Sequence, residues 1–251
     1  ASIDTLIERK LAQHDLGLSA QASRDVLIRR AYLDLLGLPP TPGQWQKWHD
    51  SRAPDWYATM IDELLDSLLL EQLPTQRTLQ RTLSDLCRGA TVIEPIVHGF
   101  KSAQHLAVGV RDILGKDNIR ATHRVLADIT EVCLSQIADS QYELLLERYG
   151  EPTGPDGERA SLVMLALGKL GAREPNYHSD VDVVFLFDRQ GNTRHDRRSG
   201  ETTTNAHFFN ELARRIIQAC SQLGPLGRLL ELDGNLRATS PHSPLAVSLE
   251  D

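Results

Sequence analysis

Two aspartates spaced two residues apart, Asp180 and Asp182, stand at the head of an apolar run that ends at Phe187. Side chains alternate between the faces of a strand, so both carboxylates are predicted to lie on one face. Like charges at this spacing repel each other, and a hard divalent cation such as Mg²⁺ between them would offset the repulsion. A solvated strand end is the alternative interpretation, because Asp-x-Asp is a common pattern.

A glycine-rich turn begins twelve residues upstream, where Gly168, Lys169 and Gly171 follow another apolar run. Glycine lets the backbone approach phosphate oxygens, and exposed N–H groups at the start of a helix favour an anion. Lys169 could add a cation near the phosphates, or it could be a solvated lysine in the first turn of a helix. The turn contains neither GxxxxGK[ST] nor GxGxxG, so neither a Walker site nor a Rossmann site is predicted.

A third acid, Asp233, ends a later apolar run that starts at Arg228. From a neighbouring strand it could supply another metal ligand or activate a hydroxyl nucleophile. The glycine turn, the short helix and the paired aspartates together predict a site that holds a nucleoside triphosphate against metal ions.

Apolar residues recur every three or four positions through the first 150 residues, which predicts helices. The segment 37–43 contains three prolines and predicts a turn or an extended linker. The segment 151–158 is dense in turn-forming residues and is the clearest boundary in the chain. The predicted helices cover residues 3–11, 26–36, 56–73, 79–87, 100–114 and 119–149.

Beyond this boundary the pattern predicts three buried strands and a further helix. The predicted fold class is therefore α+β, with a helical N-terminal region followed by an α/β core that has a small mixed sheet. The predicted strands are 162–167, 181–187 and 228–233, and the helix covers 205–223.

Composition excludes several classes of protein. The 251 residues include 34 acidic and 27 basic side chains, and the net charge of −7 argues against a general nucleic-acid binder. The apolar runs are shorter than the roughly 20 residues that span a bilayer, so no membrane segment is expected. Three cysteines without a CxxC pair predict neither a disulfide framework nor a zinc site, which favours the cytoplasm.

Four ordered sequence blocks make the chain, from about residue 57 onward, resemble a known family. They resemble glutamate–ammonia-ligase adenylyltransferase, a bifunctional enzyme of the nucleotidyltransferase superfamily that adenylylates and deadenylylates glutamine synthetase. The resemblance implies a nucleotidyltransferase-like α/β core beside helices, with domains at 74–150 (helical region) and 151–251 (catalytic core). The blocks are residues 100–114, the GKLG…SDVDVVFLFD segment at 168–188, and residues 205–209 and 227–233.

The resemblance also implies a reaction and its site. A tyrosine hydroxyl of glutamine synthetase attacks the α-phosphate of ATP with Mg²⁺ as cofactor, and a PII-type nitrogen regulatory protein is implied as a further partner. The chain could derive from the adenylylating half or from the half that removes AMP by phosphorolysis. The implied metal-binding and catalytic residues are Asp180, Asp182 and Asp233, and the implied triphosphate-binding residues are Gly168, Lys169, Gly171, Ser179 and Arg237.

Departures from the family pattern predict weakened binding. After the third acid the family usually reads DxRLRP, whereas this chain keeps one arginine of that pair, Arg237. Ala172 and Pro175 also depart from the pattern. The chain starts at Ala1 and ends soon after the third strand, which predicts a fragment without the helical domain expected to follow. A catalytically silent regulatory fragment and a nucleotidyltransferase acting on another acceptor stay open as alternatives.

Residues 3–65 carry a separate resemblance, to a domain of unknown function seen in planctomycete cytochrome-associated proteins. The segment 27–42 carries this likeness, and the predicted module covers 1–73. Its three tryptophans are expected to be core or interface anchors.

Other residues have open interpretations. His178 could touch substrate or cap the strand, and His98, His105 and His123 match no zinc spacing and are expected to be surface or core histidines. A basic cluster is expected to be a solvated loop, with a triphosphate or partner contact as the alternative; it comprises Arg194, His195, Arg197 and Arg198.

Overall fold

The fold is α+β, as predicted. A computed structural model describes residues 3–17, 20–36, 38–70, 72–195, 200–224, 227–233 and 244–249. The helices are α1 (Ile3–Ala12), α2 (Arg24–Leu36), α3 (Pro42–His49), α4 (Trp56–Leu70), α5 (Gln76–Cys87), α6 (Glu94–Ile113), α7 (Ile119–Tyr149), α8 (Gly168–Gly171) and α9 (Asn205–Ser221). The strands are β1 (Glu151–Thr153), β2 (Leu162–Ala166), β3 (Val181–Phe187), β4 (Asn192–Arg194), β5 (Leu232–Asp233) and β6 (Ala246–Ser248).

Prolines lie in the first turns of two helices, and there the structure differs from the predicted linker and from the predicted start of a helix. Helix α3 starts at Pro42 within the segment predicted as a turn or linker, and the Thr41 and Gln44 side chains form a capping box there. Helix α6 starts at Glu94, six residues before the predicted start, with Pro95 in its first turn. A proline in the first turn loses no helical hydrogen bond, so it can open a helix as readily as end one.

Helices α2, α3 and α4 share a small core. Trp48 is buried in it, and its indole N–H donates to the Tyr32 hydroxyl at 3.2 Å. Trp56 packs partly buried against the same core, as expected of an anchor. Trp45 instead lies exposed and stacks on His49. The other buried members of the core are Ile28, Ala31, Met60 and Leu64.

A second and larger core joins helices α5, α6, α7 and α9 to the sheet. Helix α7 contains 31 residues and packs against α5, α6 and α9. The helical region therefore shares buried side chains with the strands that carry the predicted acids. The domain boundaries at 73/74 and 150/151 stay predictions. The largest buried side chains of this core include Phe100, Leu126, Ile129, Phe185, Phe187, Phe208 and Phe209.

Strand β3 is the central strand of a four-stranded mixed sheet, so the predicted small mixed sheet is confirmed. It pairs antiparallel with β2 and parallel with β5 and β6. Strand β3 has the predicted bounds, but the run predicted as a strand from Arg228 is a strand only over Leu232–Asp233. Strands β1 and β4 form a separate antiparallel pair, with β1 inside the segment predicted as turns.

One face of the sheet is open, which corrects the prediction that β2 is a buried strand. Val163 and Leu165 of β2 have exposed fractions of 42% and 48%. Their Cα partners on β3 are Leu186 and Val184, so these four apolar side chains share the open face. A continuous apolar run is typical of a strand that is covered on both faces. Whether other segments in fact cover both faces cannot be read from the run itself.

The described helices include none that is both long and apolar enough to cross a lipid bilayer.

The three cysteines are expected to resist thiol reagents in the native protein. Cys87, Cys133 and Cys220 are free and buried, and burial raises the pKa of both Cys133 and Cys220 to about 12. The thiolate is the reactive form, so few molecules carry it at neutral pH. At pH 8 a chromogenic thiol reagent should react with these cysteines only after urea unfolds the chain. Rapid reaction of any of the three in native buffer would contradict this burial.

Candidate active site

Parallel pairing of β3 with β5 brings two of the three predicted acids together. The Cα atom of Asp182 is paired with that of Asp233, and the Val181 N–H donates to the Glu231 carbonyl at 2.9 Å. Paired residues of adjacent strands are about 4.8 Å apart and point to the same face. Both acids are half-buried, whereas Asp180 precedes the strand and is exposed.

Gly168 lies directly against the Asp182 carboxylate. Its φ is +54°, a left-handed conformation that favours glycine, and a Cβ atom at this position would overlap the Asp182 Oδ2 atom. The N–H of the preceding residue, Leu167, donates to the Asp182 carbonyl at 2.9 Å. The glycine turn follows β2 and therefore contacts Asp182 from the edge of β3 that is opposite β5.

The short helix α8 presents the predicted phosphate-binding residues to solvent. Gly168, Lys169 and Gly171 are exposed, while Leu170 is buried in the main core and fixes the helix. The Lys169 side chain is therefore accessible from solvent. Its predicted contact with a triphosphate stays a prediction.

Ser179 belongs to a tight turn before β3. Its hydroxyl donates to the Asn176 side-chain oxygen at 2.9 Å and accepts the Asn176 N–H at 2.9 Å. The same Asn176 oxygen accepts the His178 N–H at 3.0 Å. These bonds fix the residues leading into Asp180, and the side chain of His178 is exposed.

The acids suit a metal ion only together with substrate. Within the described ranges, no three or more His, Cys, Asp or Glu side chains form a group that could hold a metal ion. Mg²⁺ is commonly bound by one or two carboxylates with substrate phosphates and water as its other ligands. Asp182 and Asp233 fit that arrangement, whereas metal binding by all three acids stays a prediction.

The remaining predicted residues lie elsewhere or outside the described residues. Arg194 is in β4, and the ring of His195 lies 3.3 Å from the Glu147 carbonyl at the end of α7. His105 packs edge-on against Tyr177 with ring centroids 5.8 Å apart. Three predicted residues, Arg197, Arg198 and Arg237, lie outside the described part of the chain.

A cavity of about 720 Å³ lies between α6, α7 and α9, and its lining includes none of the predicted acids or triphosphate-binding residues that the structure describes. No short motif marks it, because its walls come from three separate helices. The predicted acids therefore do not lie in this cavity. Its polar lining includes His98, Gln141, Glu211, Arg214 and Arg215.

The fold, a small mixed sheet with acids at one end beside a helical region, is of the α+β class. A family model for glutamate-ammonia ligase adenylyltransferase matches residues 51–251, which is most of the chain. The chain therefore belongs to the glutamate-ammonia ligase adenylyltransferase family. A second model, for a protein of unknown function (DUF1549), matches residues 2–91, in agreement with the separate resemblance of the N-terminal segment.

Curated relatives agree with this family. The bifunctional glutamine synthetase adenylyltransferase/adenylyl-removing enzyme of Shewanella frigidimarina is 29% identical over 203 residues, which cover 80% of this chain and 21% of the relative. The enzyme of the same name from Burkholderia mallei is 30% identical over 75% of this chain and 19% of the relative. That from Hahella chejuensis is 33% identical over 61% of this chain and 16% of the relative. The chain thus spans about a fifth of the length of the first relatives.

Proposed function

We propose that this chain forms the nucleotide-binding and AMP-transferring part of a glutamine synthetase adenylyltransferase that acts in the cytoplasm. The observation that carries the proposal is the pairing of Asp182 with Asp233 beside the close approach of Gly168. Family membership supports ATP as the substrate and glutamine synthetase as the acceptor. We further propose residues 74–150 as a helical region and 151–251 as the catalytic core.

The proposed reaction is an in-line transfer of AMP. A tyrosine oxygen of glutamine synthetase forms a bond to the α-phosphorus of ATP, the bond from that phosphorus to the bridging oxygen breaks, and pyrophosphate leaves. Asp233 takes the tyrosine proton, and the missing side chain of Gly168 leaves room for the Asp182 carboxylate beside the phosphates. Lys169, Gly171, Ser179 and Arg237 are the other proposed contacts of the triphosphate.

Mg²⁺ held by Asp180, Asp182 and Asp233 would neutralise phosphate charge. The other direction that the family carries out is removal of AMP by phosphorolysis. An oxygen of inorganic phosphate forms a bond to the AMP phosphorus, the bond from that phosphorus to the tyrosine oxygen breaks, the tyrosine oxygen takes up a proton, and ADP leaves. The open apolar face of the sheet, with Val163 and Leu165, lies next to the acids and suits the adenine ring. A PII-type regulatory protein is proposed as a further partner.

A second candidate function is a regulatory or interaction fragment without catalysis. The departure from the family pattern after Asp233, where one arginine of the expected pair is missing, favours it. A nucleotidyltransferase acting on another acceptor is the third candidate.

Transfer of label from ATP tests the proposal. The 251-residue chain, glutamine synthetase, Mg²⁺ and α-³²P-labelled ATP are incubated together, and we expect label on a tyrosine of glutamine synthetase. Asp182→Asn should remove the label, because it takes away one charge of the acid pair. Asp62→Asn, which makes the same change on an exposed helix position, should keep it.

Each outcome separates the candidates. No label, while a full-length relative labels the same glutamine synthetase, would overturn the transfer activity and favour the regulatory fragment. Equal labelling by wild type and Asp182→Asn would show that the acids do not form the site. Label on a different protein would favour the third candidate. Release of ADP from adenylylated glutamine synthetase, dependent on phosphate, would assign the removing direction.

A further inference from the structure

The loop between α8 and β3, residues 172–180, leads from the glycine turn to the acids. Arg173, near its start, has φ of +57°, a left-handed conformation that is unfavourable for a residue with a side chain. Such backbone strain persists only where other contacts hold it. The side-chain contacts of this loop must therefore hold its backbone in place.

Arg173 ties the start of the loop to helix α7. Its guanidinium group forms ion pairs with Asp128 and with Glu131, and the Glu131 contact is 2.8 Å. Asp128 is buried with an exposed fraction of 6%. A buried carboxylate is costly without a partner, and a planar guanidinium can reach two carboxylates at once. Gln76 of α5 donates to the other Glu131 oxygen at 2.7 Å, which fixes that carboxylate as well.

Tyr177 ties the end of the loop to helix α6. Its ring packs beside Gly109 of α6, where an added Cβ atom would be 3.7 Å from the ring, in van der Waals contact. The ring also packs edge-on against His105. Three residues later the chain reaches Asp180. Both ends of the loop are thus held by side chains from the helical region.

We infer that Arg173 and Tyr177 are positioning residues that hold the loop 172–180 on helices α6 and α7 and so set the place of Asp180 and Asp182 relative to Gly168. This inference rests on the proposed function for its catalytic meaning. The helical region then does more than cover the sheet, because it fixes the acids through two separate contacts. Neither residue is among the proposed contacts of the triphosphate or the metal ion, so their effect is on geometry.

Amide hydrogen exchange and Mg–ATP affinity test the inference in the 251-residue chain. In Arg173→Gln and in Tyr177→Leu, exchange in residues 174–182 should be about tenfold faster, because the loop opens locally. The dissociation constant of Mg–ATP should rise by roughly 10- to 100-fold, as expected when reacting groups shift by about 1 Å. Arg88→Gln removes an exposed ion pair with Asp85 and should change neither.

A double variant separates positioning from simple stability. Arg173→Gln leaves Asp128 as an unpaired buried charge, and adding Asp128→Asn removes that charge. The melting temperature should therefore recover in the double variant, whereas fast loop exchange and weak Mg–ATP binding should persist. If Arg173→Gln does not fold, Tyr177→Leu alone decides, because it removes the ring contact with α6 and leaves no buried charge unpaired.

The outcomes decide between the alternatives. Unchanged loop exchange in folded variants would overturn the inference. Recovery of both exchange and Mg–ATP affinity in the double variant would also overturn it, because the role would then be stability alone. If the wild-type chain does not bind Mg–ATP, the proposed function fails, and the exchange of residues 174–182 alone decides whether the loop is held as inferred.

Discussion

Replacing Gly168 by alanine is expected to weaken Mg–ATP binding and AMP transfer by about 100-fold. The added Cβ atom would overlap the Asp182 Oδ2 atom, and the end of a short side chain can move away. The carboxylate would then rotate out of its place beside Asp233. The left-handed φ of +54° adds a cost of about 1–2 kcal/mol to the free energy of folding. The loss of function should therefore exceed what the loss of stability explains.

Isothermal titration with Mg–ATP and urea unfolding of the same samples check this expectation. Gly99→Ala is the matched control, because Gly99 lies inside α6 and an added Cβ meets no atom of the described residues within 4 Å. That change should leave binding unaltered and raise stability by up to about 1 kcal/mol. Wild-type affinity in a folded Gly168→Ala protein would show that the contact with Asp182 does not shape the site.

Acidification from pH 6.5 to 4 is expected to remove up to about 3 kcal/mol of stability through His105 alone. Burial, together with the nearby charges of Lys101 and His178, lowers the pKa of His105 from 6.5 to about 4. In the unfolded chain the imidazole takes up a proton near pH 6.5, whereas in the folded chain it stays neutral down to about pH 4. The unfolded state therefore binds more protons in this window, so stability falls as the pH falls and this contribution is constant above pH 6.5.

Urea unfolding at several pH values between 7 and 4 measures this effect. His105→Phe keeps a ring against Tyr177 and cannot be protonated. It also removes a buried Nε2 atom that has no hydrogen-bond partner among the described residues. The difference in the free energy of unfolding between His105→Phe and wild type should increase steadily as the pH falls below 6.5. His14→Gln, at an exposed position, should follow the wild-type curve. Parallel curves for wild type and His105→Phe would contradict the lowered pKa.

Local patterns predicted most of the helices and the central strand. The bounds of α7 and β3 agree with the prediction, because periodic apolar residues and glycine stops lie within the segments themselves. Predictions failed at prolines, where the same residue can end a helix or begin one. They also failed at β1, β4 and β6, whose three-residue runs carry little periodicity and form through pairing with distant segments.

For the candidate site, too, some features follow from local sequence and others only from the tertiary structure. The sequence alone determined which residue types could do the chemistry: the paired aspartates, the glycine turn and a third acid on a later strand. Only the tertiary structure decided that Asp182 pairs with Asp233, that one face of the sheet is open, and that Arg173 reaches α7. Strand register and ion pairs depend on contacts between segments tens of residues apart, and no periodicity within one segment records them.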